Sequence, residues 1–75
     1  GYTKFTFGIP ESGYVSLRVF NANGAEVSEL AGKEFEQGRH IVEFRQDQLS
    51  PGIYFYSLHS TGQSASGKMV VTAVQ

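Results

Sequence analysis

The 75 residues include no cysteine, no tryptophan, two prolines and a single aspartate, Asp47. Without cysteine there is no disulfide framework, no thiolate nucleophile and no sulfur ligand for a metal. With one aspartate, a calcium loop built on spaced aspartates is excluded. Lysine and arginine occur singly, at Lys4, Arg18, Lys33, Arg39, Arg45 and Lys68, and the net charge is -1. A nucleic-acid partner, which asks for a basic stripe, is not expected. No stretch approaches the roughly eighteen apolar residues of a membrane-spanning helix, and no signal-peptide pattern is present. Membrane insertion is not expected either. The chain starts at Gly1-Tyr2-Thr3, almost directly on a strand, and is read as a piece of a longer protein.

A chain this short buries only about 60% of the surface its unfolded form exposes. What it has to bury is aromatic: six Phe and four Tyr. Their spacing follows a period of two, the signature of half-buried strands. Phe5, Phe7 and Ile9 alternate with Lys4 and Thr6, and Val15, Leu17 and Val19 alternate with Tyr14, Ser16, Arg18 and Phe20. Asn21-Ala22-Asn23-Gly24 reads as a hairpin turn, with Gly24 taking positive φ and the Asn21 side chain bonding the turn backbone. A third strand is expected over Ala25–Leu30 with Val27 in the core, then a break at Ala31-Gly32, then a short charged edge strand, Lys33–Gln37, with Phe35 tucked in. His40, Val42 and Phe44 share a face of the next strand. Gln46–Ser50 is a polar connection anchored by Leu49. After Pro51-Gly52 comes Ile53–His59, with Tyr54, Tyr56 and Leu58 inward and Ile53, Phe55 and Ser57 outward. Thr61-Gly62 is a turn, and the last strand spans about Ala65–Val74. Six to eight short strands with regular turn signals predict one all-β sandwich or barrel domain over residues 1–75.

The inventory of reactive groups is poor. The only nucleophiles are hydroxyls, which need a base held beside them. Gly62-Gln63-Ser64-Ala65-Ser66-Gly67 misses the nucleophile-elbow spacing by one residue and falls in a hairpin. His40 and His59 are read as a rim residue and an exposed turn residue rather than metal ligands. Glu34 and Glu36 beside Lys33 form a solvated edge. No enzyme, metal or cofactor is expected. Tyr14, Phe20, Phe55, Ile41 and Ile53 fall on outward faces. Cross-strand packing is the favoured account of them, with a sugar-binding platform or a partner contact as alternatives.

In order along the chain, Ile9–Phe20, the turn ending at Gly24, Glu26-Val27, Gly38–Phe44, Leu49–Leu58 and Lys68–Val71 together resemble the type IX secretion C-terminal sorting domain, type A. The resemblance runs through nearly all 75 residues. The family's usual Asn-Pro-Phe segment ahead of the first strand has no counterpart, and Thr72–Gln75 lacks the basic residue often found at the end. The resemblance implies an immunoglobulin-like antiparallel sandwich of about seven strands. It further implies a cargo domain on the N-terminal side, transit through the periplasm and passage through the outer-membrane secretion machinery. A sortase-like protease then removes the domain, and the cargo ends at the cell surface or outside the cell. Lys68, Met69, Val70 and Val71 become the segment a receptor reads. Pro51, Gly52 and Tyr54, a corner tyrosine, hold the fold together, as does Gly24. The rival expectation is an immunoglobulin-like accessory module, similar to a hook-capping insert or a carbohydrate-binding appendage.

Overall fold

The computed structural model describes residues 2–45 and 49–72, and the regular structure among them is all strand. Six strands follow in order: β1 (Tyr2–Ile9), β2 (Gly13–Asn21), β3 (Glu26–Phe35), β4 (Gly38–Arg45), β5 (Gly52–Ser60) and β6 (Gln63–Val71). They form two antiparallel sheets, β1-β4 and β3-β2-β5-β6. The expected all-β sandwich is present, with six strands in place of about seven. The polar connection expected at Gln46–Ser50 lies largely outside the described residues. Its anchor Leu49 packs on the core.

Alternation decides what faces inward. Val15, Leu17 and Val19 in β2 are essentially sealed from water, and each contributes on the order of 1.5–3 kcal/mol. Phe7 and Ile9 of β1 meet Val15, with Phe35, Val42 and Leu58 packed around them. Toward the other end Phe44, Tyr54, Met69 and Val71 gather on Val19, flanked by Phe5, Leu30, Leu49 and Tyr56. Both sheets supply both clusters, so the β1-β4 pair lies over the inner face of the larger sheet.

Ser16, on the outward parity of β2, is buried too, but the shift of parity itself is in β3. Leu17 faces Ala31 while Arg18 faces Glu29, and Val19 faces Ser28 while Phe20 faces Glu26. Leu30 and Val27 are therefore the extra residues of two bulges, each of which resets the in-out parity. Val27, expected in the core, is exposed instead, and Leu30 and Ala31, adjacent in sequence, both reach the interior. The same bulges carry the strand through Ala31-Gly32, where a break was expected. Two expected strands become one, which accounts for the lower count.

The β2–β3 turn has the expected chemistry. Gly24 sits at φ 87°, and its N–H donates to the Asn21 carbonyl at 3.0 Å. The Asn21 side-chain oxygen accepts from the N–H groups of Asn23 and Ala25 at 2.9 and 3.0 Å. β6 starts at Gln63, two residues before the expected start at Ala65, because the ladder to β5 begins directly after the turn with Ser60 facing Gln63. It runs to Val71, and the expected end at Val74 lies outside the described residues.

Candidate interaction surface

Period two divides the Lys68–Val71 segment. Met69 and Val71 are 8% and 3% exposed and belong to the core. Lys68 and Val70 point the other way, and Val70 is 54% exposed. The folded chain therefore displays Lys68 and Val70, while the other two hold β6 down. Beside them in β5, Tyr54 is buried and its hydroxyl donates to the Ser50 carbonyl at 2.7 Å. That bond ties the Pro51-Gly52 connection to the strand it launches. Gly52 has φ 154°, a conformation that side chains other than glycine's rarely adopt.

A further constraint on β6 is Gly67, which sequence reasoning passed over. A Cβ there would lie 2.7 Å from the Tyr56 ring and 2.6 Å from its hydroxyl. The missing side chain lets that ring lie across β6 and meet Phe5 edge-on, with centroids 5.1 Å apart. Only the Tyr56–Gly67 pairing gives the glycine this meaning, and no periodicity signals it.

The outward apolar residues separate into strays and a group. Tyr14 lies at the far end of β2 and Ile41 on the smaller sheet. Phe20, Ile53 and Phe55 come together on the outer face of the larger sheet. Phe20 faces Phe55, Phe55 faces Lys68, and Ile53 faces Val70. Val70 completes the group. Next to it Arg18 reaches Glu29 at 3.5 Å and Glu26 at 3.8 Å, half-exposed pairs contributing about 0–1 kcal/mol.

The histidines stand apart. His40 packs against Phe7 and Phe35, with centroid distances of 5.6 and 4.9 Å, and its Nε2 lies 2.6 Å from the Glu36 carbonyl. At that distance Nε2 is the donor. His59 is exposed on the larger sheet, its Nε2 2.8 Å from the Ser57 hydroxyl. Among the described residues no group of three His, Asp or Glu side chains converges. The most enclosed hollows hold about 20 and 70 Å³, well below a small-molecule site. The larger ones are shallow and open. What the outer face offers is a surface for contact.

A family model described as secretion system C-terminal sorting domain matches residues 2–72, a span that takes in every strand. No curated protein and no solved structure matches the chain. The match favours the sorting reading over an accessory module of the hook-capping or carbohydrate-binding kind. The chain belongs to the family of secretion system C-terminal sorting domains, the signals that direct proteins through type IX secretion.

Proposed function

We propose that this chain is an address without a reaction of its own. It is carried on the C-terminal side of a cargo domain, crosses the periplasm folded, and is read by the outer-membrane translocation machinery through the exposed half of Lys68–Val71. A sortase-like protease then separates it from the cargo, which ends at the cell surface or outside the cell. The observation that carries this reading is the family match over residues 2–72, coincident with the whole sandwich. The non-catalytic part is supported by the placement of His40 and His59 on different sheets, one against aromatic rings and the other on an open face.

The experiment is a fusion of residues 1–75 to the end of a periplasmic reporter, in a host with type IX machinery. Export to the cell surface or medium is expected, and an identical reporter without the domain stays behind. An intact, folded fusion retained in the periplasm contradicts the proposal.

A further inference from the structure

The outer face of the larger sheet carries one apolar patch, and it lies at the β6 margin. Ile53, Phe55 and Val70 are 49%, 42% and 54% exposed, and the ladders place them with Phe20 in adjoining rows. The other exposed large apolar residues, Tyr14, Val27 and Ile41, lie on other strands or at the far end of β2. Isolated apolar residues are ordinary on a surface, whereas a contiguous group marks an interaction site.

Two further features say what covers the patch. First, β6 is an edge strand whose nine pairs with β5 run without a bulge, and its only charged residue is Lys68. An unbulged, nearly uncharged edge is a template for an added strand. Second, the two cations of this face differ. Arg18 is held by Glu26 and Glu29, while Lys68, beside Phe55, has no ion-pair partner among the described residues. An uncompensated ammonium bordering an apolar patch is complementary to a carboxylate bordering an apolar segment.

We infer that the β6 margin is a docking surface for an extended segment of the translocation machinery. The segment pairs along β6, lays apolar side chains on Val70, Ile53 and Phe55, and sets an Asp or Glu against Lys68. The inference rests on the sorting reading and names the contact that reading requires.

The test uses the 1–75 fusion on two unrelated reporters. Every variant is first matched to the parent as the free chain, in circular dichroism and melting temperature. Phe55→Ser with Val70→Ser should lower the exported fraction about tenfold or more, as expected for central contacts of an interface. Lys68→Glu should lower it clearly, and Lys68→Arg should retain it. Ile41→Ser, which removes a still more exposed side chain from the other sheet, should export like the parent. Parental export of the Phe55/Val70 variant overturns the docking surface while leaving the sorting reading in place. Failure of the unmodified fusion to export overturns both. Two other occupants are distinguishable. If the free chain sediments as a dimer that Phe55→Ser dissociates, a second copy covers the patch and the inference is wrong. It is wrong too if the substitutions lower the melting temperature of the fusions but not of the free chain, since cargo then covers the patch.

Discussion

The larger sheet has two edges, and they solve the same problem differently. β3 carries Glu26, Glu29, Lys33 and Glu34 and is kinked by two bulges. Lys33 is on its inward side, its ammonium 5.1 Å from the Phe35 ring centroid. Charge, bulges and an inward lysine are the devices that stop an edge from recruiting another strand. β6 has one lysine, no bulge and an apolar patch beside it. In a domain whose task is to be recognised, one edge is closed and the other left open.

The contrast extends to what each edge gives the core, and this can be broken by mutation. Met69 of β6 is buried, so Met69→Ala should cost about 2–5 kcal/mol in urea unfolding. Val27→Ala on β3 should stay within about 0.5 kcal/mol. Equal losses at the two positions would erase the difference between the edges.

The two mid-strand glycines sharpen it further. Gly67→Ala drives a methyl into the Tyr56 ring, which Phe5 holds in place, and should cost about 1–3 kcal/mol. A Cβ at Gly32 would meet the Glu29 carboxylate and the Tyr14 hydroxyl at 2.9–3.1 Å. Both are the ends of exposed side chains that can swing away, so Gly32→Ala should stay within about 0.5 kcal/mol. The effect of Arg18→Ala is small too. Its half-exposed pairs with Glu26 and Glu29 are worth about 0–1 kcal/mol, and added salt should shrink even that difference.

How much of this the sequence discloses depends on whether a residue acts through its own strand or through a neighbour. The aliphatic face of β2 is legible: Val15, Leu17 and Val19 alternate without interruption, and all three are sealed in the core, although Ser16 on the opposite parity is buried as well. The Asn21–Gly24 turn is equally plain, because its bonds are local. β3 is not. A bulge adds a residue without changing composition, so Val27 looks like a core position, and Ala31-Gly32 looks like a break in a strand that in fact continues. The candidate surface divides along the same line. The split of Lys68–Val71 into displayed and buried halves follows from period two. The meeting of Phe20, Phe55 and Lys68, and of Ile53 with Val70, follows only from register between strands far apart in sequence.

The claim at the centre is that β6 is left open in order to be read. The most direct measurement gives β6 the charged character of β3, through Ser64→Lys with Ser66→Glu in the reporter fusion. Both serines are exposed, so the fold and melting temperature should hold within the range of surface substitutions. The account predicts a folded fusion that stays in the periplasm while the parent fusion is exported. Export of the charged variant at the parent level would contradict it.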